Sequence, residues 1–92
     1  MQDEQKVVRI GSVELLESEA ADYAEKGMYL VTYSKIIKVI KNGDRYTGIP
    51  IYSAPGMTKR GRYFVYTRAQ VEHFMPEALE KEKMLIELEK YT

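Results

Sequence analysis

The first quarter of the chain carries two different apolar patterns. Residues 6–10 contain a short β-branched run, which predicts a strand that ends at Gly11. In residues 13–26 the spacing of apolar side chains predicts an amphipathic helix, with Ser12 as its N-cap and Gly27 as a left-handed C-cap. The apolar positions that recur at helical spacing are Leu16, Ala20 and Tyr23.

β-branched and aromatic residues dominate the middle of the chain and predict strands there. We expect one strand over residues 28–33 and a hairpin over residues 35–52. The hairpin is predicted to turn at Asn42-Gly43, a pair typical of type I′ turns, because both central residues of that turn need positive φ. Pro50 cannot donate to a strand ladder, so the return strand is predicted to lie at a sheet edge or to contain a bulge.

The last third of the chain predicts a strand followed by two helices. Thr67 and Gln70 have the spacing of a capping box, which marks the start of the first helix. Pro76 suits the first turn of the second helix, where its missing N–H costs nothing. The predicted loop, strand and helices cover residues 53–61, 62–67, 68–75 and 77–91.

The composition is that of an ordinary globular domain. The chain has 92 residues, of which 45% are hydrophobic and 30% charged, so we expect one core and exclude disorder of the whole chain. The sequence therefore predicts a single small α+β domain over residues 1–92, with residues 1–5 as a flexible tail. Its mostly antiparallel sheet is predicted to have three to five strands, with the N-terminal helix and two C-terminal helices packed on one side.

Several classes of protein are excluded by what the sequence lacks. Without cysteine, the chain has no disulfide, no thiolate nucleophile and no zinc ribbon. No apolar run approaches the roughly 20 residues of a membrane-spanning helix, so no membrane partner is expected. The polar, acidic first five residues do not resemble a secretory signal, and we expect an intracellular, cytoplasmic protein.

The net charge of zero is the sum of two acidic blocks and one basic block that lies between them. Residues 1–26 hold seven acidic and three basic side chains, and residues 69–92 hold six acidic and three basic ones. Residues 27–68 hold eight basic side chains and one acidic one, together with six of the eight tyrosines. Cations for phosphate and rings for base stacking are what nucleic-acid binding requires, so this block predicts a binding module for nucleic acid or a small anionic ligand.

The strongest local candidate within this block is a cationic tip around Gly61, where Lys59, Arg60 and Arg62 lie within four residues. The full predicted anion-binding set is Lys59, Arg60, Arg62, Arg45, Tyr63, Tyr66 and Tyr52. Two alternatives stay open. Basic and aromatic residues also serve strand packing and prevent edge aggregation, and the acidic helices could neutralise the basic strands within the fold.

Candidate catalytic groups are sparse. His73 has no second histidine or cysteine to complete a metal or nucleophile site. Asp44 and Glu72 are not paired in sequence, and the glycines form no phosphate-binding fingerprint. The sequence therefore predicts a non-catalytic protein that needs no metal and no cofactor.

The final helix supports a second hypothesis, a protein-binding adaptor or inhibitor that acts through acidic helices, either as a homodimer or on another partner. Short chains without a recognisable catalytic motif are also typical of accessory proteins of viruses and mobile elements. The predicted interface residues are Met84, Leu85, Leu88, Tyr91, Glu80 and Glu87. The apolar members approximate a helical seam of barely two heptads, and the two glutamates flank it.

Overall fold

The computed structural model describes residues 6–90, with only the backbone described for residues 89 and 90. Within this part, the chain forms six strands and three helices, which confirms a small α+β domain. The predicted tail at residues 1–5 and the predicted interface residue Tyr91 lie outside the described residues. The elements are β1 (Val7–Ile10), β2 (Val13–Leu16), α1 (Glu17–Lys26), β3 (Tyr29–Val31), β4 (Lys35–Asn42), β5 (Arg45–Ser53), β6 (Phe64–Tyr66), α2 (Arg68–Phe74) and α3 (Pro76–Lys90).

The strands form two antiparallel sheets. β1 and β2 pair as a hairpin, and the larger sheet has the strand order β5-β4-β3-β6. β5 is thus an edge strand, as Pro50 predicts. It is also bulged: Ile36 pairs with Tyr52 and Ile37 pairs with Pro50, which leaves Ile51 as the extra residue.

The four-stranded sheet is covered on both faces, so the expectation that all helices pack on one side was wrong. One face carries Leu30 and Ile37 against the β1–β2 hairpin and against Ala20 of α1. The other face carries residues such as Tyr29 and Ile36 against α2 and α3. Both faces of β3 and β4 are apolar, and a strand with two apolar faces needs a cover on each of them.

The predicted helix over residues 13–26 was wrong in its first turn. Val13–Leu16 is strand β2, and Gly11 and Ser12 form the turn that joins it to β1, with Gly11 at φ +64°. Val13 and Leu15 are buried while Glu14 is exposed. This alternation of buried and exposed residues is typical of a strand, but a pattern of only four residues is also compatible with one turn of helix.

Helix α1 therefore begins at Glu17, and Ser12 is not its cap. The Glu19 carboxylate accepts a hydrogen bond from the Leu16 backbone N–H at 3.0 Å, which satisfies a donor at the helix start. At the other end, Gly27 has φ +68° and forms the predicted left-handed cap.

The β4–β5 hairpin is present where the sequence predicts it, but the two central residues of its turn lie one position later in the chain than predicted. Asn42 pairs with Arg45, so the two central residues are Gly43 and Asp44. Gly43 has φ +68°, and no other residue type in the described range has positive φ. A glycine at the first central position alone is the type II′ arrangement rather than type I′.

The remaining predicted elements are confirmed with small shifts of their ends. Thr67 and Gln70 form the reciprocal capping box of α2, with Thr67 Oγ1 accepting from the Gln70 N–H at 3.1 Å. The predicted strands over residues 28–33 and 62–67 shorten to the three-residue strands β3 and β6. Pro76 lies in the first turn of α3 as expected.

We predict that Gly48→Ala destabilises the protein by about 1–3 kcal/mol, the usual cost of overfilling a packed core. A Cβ at this position of β5 would overlap the Cγ2 methyl groups of Ile37 and Ile10, and both side chains are buried. Urea unfolding checks this, with Thr47→Ala on the exposed face of the same strand as the control. A destabilisation no larger than that of the control would contradict this packing.

Candidate nucleic-acid interface

Strand register brings three segments together at one end of the larger sheet. Lys35, the first residue of β4, pairs with Ser53, the last residue of β5. Val31, the last residue of β3, pairs with Phe64, the first residue of β6. The β3–β4 turn and the β5–β6 loop therefore meet at this end, which we call the loop end.

The tip of the β5–β6 loop is a defined turn. The Arg62 N–H donates to the Lys59 carbonyl at 3.0 Å, and Gly61 between them has φ +80°. Positive φ at the third residue of the turn is the type II arrangement, which explains the glycine. The hydroxyl of Thr58 contacts the carbonyls of Lys59 and Arg62 at 3.1 and 3.0 Å and reinforces the turn.

The loop is also fastened to the β3–β4 turn. The Met57 N–H donates to the Tyr33 carbonyl at 3.0 Å, and the Ala54 N–H donates to the Ser34 carbonyl at 3.1 Å. The Arg60 guanidinium lies over the ring of Tyr33, at 4.8 Å from its centroid, a cation–π contact that holds the side chain at this end.

The cations of the loop end are exposed. Lys35, Lys59, Arg60 and Arg62 are all accessible to solvent. Among the side chains of residues 6–88, ion pairs form at Arg9, Lys26, Lys38 and Arg68, and none of them involves a cation of the loop end. Three of these cations belong to the anion-binding set predicted from the sequence, whereas Lys35 does not, since only the strand register brings it to the loop end.

A cleft of about 210 Å³ opens beside these cations, between the loop tip, the β3–β4 turn and the β1–β2 hairpin. Tyr63, which lines the cleft, is 38% exposed; Phe64 follows it and is 49% exposed, with its ring stacked on that of Tyr66 outside the cleft. The cleft is lined by Ser12, Val13, Glu14, Thr32, Tyr33, Ser34, Gly61, Arg62 and Tyr63.

Three residues of the predicted set lie elsewhere. Arg45 is seven residues along the hairpin from the loop end, about 23 Å at the usual strand rise. Tyr52 packs at the edge of the core under α2 and α3. Tyr66 packs there too and contacts the rings of Phe64 and Phe74, at centroid distances of 5.9 and 5.6 Å. The predicted set is therefore not one surface.

Two other cations of residues 27–68, which form the basic block of the sequence, are neutralised by α3: Lys38 and Arg68. Glu82 is buried against the sheet, with a side chain that is 8% exposed, and its carboxylate lies 3.1 Å from Lys38 Nζ and 3.4 Å from Arg68 Nη1. Tyr29 donates its hydroxyl hydrogen bond to the same carboxylate at 2.9 Å. Burial, followed by this hydrogen bond and the Glu82 charge, raises the pKa of Tyr29 to about 12. Glu82, Lys38, Arg68 and Tyr29 together form the Glu82 network.

The cleft beside the Glu82 network is larger, about 460 Å³, but its charge does not suit phosphate. Glu72, Glu80 and Glu87 line it, and its two cations from the basic block, Lys38 and Arg68, are the partners of Glu82. The alternative that acidic helices neutralise the basic strands thus holds for this cleft, whereas the cations of the loop end remain available.

The predicted protein-interface residues separate into two groups. Met84, Leu85 and Leu88 line a groove between α3 and β5 and are 57%, 40% and 61% exposed. Glu80 and Glu87 line the cleft beside the Glu82 network instead. The glutamates therefore do not line the groove formed by the apolar seam.

Comparisons with protein-family models, with curated proteins and with solved structures found no match to this chain. Within the described residues, no helix is both long enough and apolar enough to cross a lipid bilayer.

We predict that Glu82→Ala destabilises the protein by about 3 kcal/mol, because it leaves Lys38 and Arg68 without their counter-charge and Tyr29 without its acceptor. Urea unfolding followed by circular dichroism measures the change. Glu80→Ala on the exposed side of the same helix is the control and should change stability by less than about 0.5 kcal/mol. Equal effects of the two substitutions would show that the network does not hold α3.

Proposed function

We propose that the protein is a non-catalytic module that binds single-stranded nucleic acid at the loop end. The observation that carries the proposal is the convergence of Lys35, Lys59, Arg60 and Arg62 beside accessible aromatic rings. Cations that track a phosphate backbone, together with rings on which bases stack, are the general means of binding single strands.

The type II turn supports this proposal because it presents Arg60 and Arg62 on either side of Gly61, at the tip of a hydrogen-bonded loop. Binding then costs less side-chain and backbone freedom than it would for cations on an unstructured segment. Arginine also matches phosphate geometry better than lysine, since its planar group donates two parallel hydrogen bonds.

A single strand is favoured over a duplex by the position of the rings. Tyr63 and Phe64 lie at the end of a sheet whose faces are both covered. Their ring faces can stack only on a base that is itself unstacked, and such bases occur in single strands, loops and ends.

The double variant Arg60→Ala/Arg62→Ala is expected to bind a fluorescent single-stranded oligonucleotide more weakly than the parent protein. Its plot of log affinity against log salt is expected to be shallower by about 0.7 for each phosphate that the variant no longer neutralises. Fluorescence anisotropy between about 50 and 200 mM salt measures both quantities.

The matched control is Lys41→Ala/Arg45→Ala, which removes the same charge from exposed positions near the opposite end of the hairpin. Binding by this control should stay close to that of the parent. If both double variants lose affinity equally, net charge rather than the loop end governs binding, and the proposed site is wrong.

A second candidate function is self-association through the groove between α3 and β5. Two features favour it: the exposed apolar side chains Met84, Leu85 and Leu88, and the edge of β5 next to them, which pairs with no further strand within residues 6–90. Exposed apolar groups in one groove indicate a contact surface, and an edge strand is a template for pairing with another chain.

If the groove joins two copies, Met84→Lys/Leu88→Lys should convert a dimer to a monomer, because each lysine places a charge in the apolar contact. Sedimentation velocity over a range of protein concentrations measures this. Glu80→Lys/Glu87→Lys, which alters the other cleft along α3, should leave the dimer intact. A parent protein that is monomeric at every concentration would rule out this candidate.

A further inference from the structure

The cleft beside the loop end contains a group that phosphate binding does not explain. Glu14 lines it, as Arg62 does, and a carboxylate repels phosphate. Its Oε2 lies 2.7 Å from Arg9 Nη2 on the paired strand. The ion pair compensates the negative charge, and the carboxylate retains further capacity to accept hydrogen bonds.

The size of the cleft suits a single base. Its volume of about 210 Å³ is below the roughly 300 Å³ at which pockets for drug-sized ligands begin. Tyr63, whose aromatic side chain is partly exposed, lines the cleft, and the loop-tip cations that would hold the flanking phosphates come just before it in the chain. A base stacked on one such ring is a common unit of single-strand recognition.

An ionised carboxylate distinguishes bases by their hydrogen-bonding groups. It accepts hydrogen bonds and cannot donate them, so it favours the exocyclic amino group of cytosine over the carbonyl oxygen that uracil carries at the same ring position. Cytosine and uracil have nearly the same size, so the steric fit of the cleft does not separate them.

We propose that this cleft binds one unpaired base of the strand, stacked on Tyr63, and that Glu14 makes cytosine preferred over uracil. The inference rests on the proposed function, since the loop-end cations hold the strand that delivers the base.

The test compares fluorescein-labelled oligocytidine and oligouridine of about eight nucleotides, within the range of site sizes for single-strand binders, in anisotropy titrations near neutral pH. The parent protein is expected to prefer oligocytidine by about fivefold, the lower end of discrimination by a carboxylate–base contact, because the cleft is open. Glu14→Gln should bring the ratio close to one.

Arg9→Gln is the matched control, because it breaks the same ion pair but keeps the carboxylate, and it should retain the preference for oligocytidine. Tyr63→Leu keeps apolar bulk and removes the ring. It should weaken binding to both oligonucleotides by at least about fivefold and leave the salt slope unchanged. Tyr63→Phe should bind as the parent does, which separates loss of stacking from damage to the fold.

The outcomes separate this inference from the proposed function. Salt-dependent binding that Tyr63→Leu and Glu14→Gln leave unchanged would overturn the base site, while the loop-end cations would still account for phosphate binding. Equal affinity of the parent for oligocytidine and oligouridine would overturn the role of Glu14. Absence of binding to either oligonucleotide at low salt would overturn both proposals.

Discussion

The covering of both faces of the four-stranded sheet decides where a ligand can bind. The β1–β2 hairpin and α1 occupy one face, and α2 and α3 occupy the other, where the Glu82 network joins α3 to β3 and β4. Some proteins stack bases on aromatic side chains of an open sheet face. This fold has no such face on its larger sheet, because both faces are covered. Among the described residues, the surfaces that remain accessible include the loop end, the edges of the sheet and the outer side of α3.

The chain has no net charge, and the same packing determines which of its cations are paired with carboxylates and which are exposed. Glu82 takes up Lys38 and Arg68 on one face of the sheet, while the loop beyond β5 carries its cations out of reach of α3. Local positive charge of this kind lacks the long-range attraction that a basic protein exerts, so under the proposed function affinity would depend on short-range contacts with phosphates and bases.

Sequence reasoning identified most elements because their signals are local: the capping box at Thr67, the left-handed cap at Gly27 and the hairpin near Gly43 each lie within a few residues. It failed at Val13–Leu16, where four residues fit either period. For the candidate site, the cationic tip was visible as consecutive residues. Local signals did not place Lys35 or Glu14 near the tip, and they grouped Arg45 with it, because these spatial relations depend on strand register and on packing between distant segments.

The central claim, that the loop end binds single strands through phosphate contacts, is tested most directly by titrating the parent protein with single-stranded RNA and DNA at about 50 and 200 mM salt. The account predicts binding at the lower salt with a dissociation constant below about 10 μM, weakening at the higher salt as counterions are released on binding. An absence of binding at the lower salt, or an affinity that does not change with salt, would contradict it.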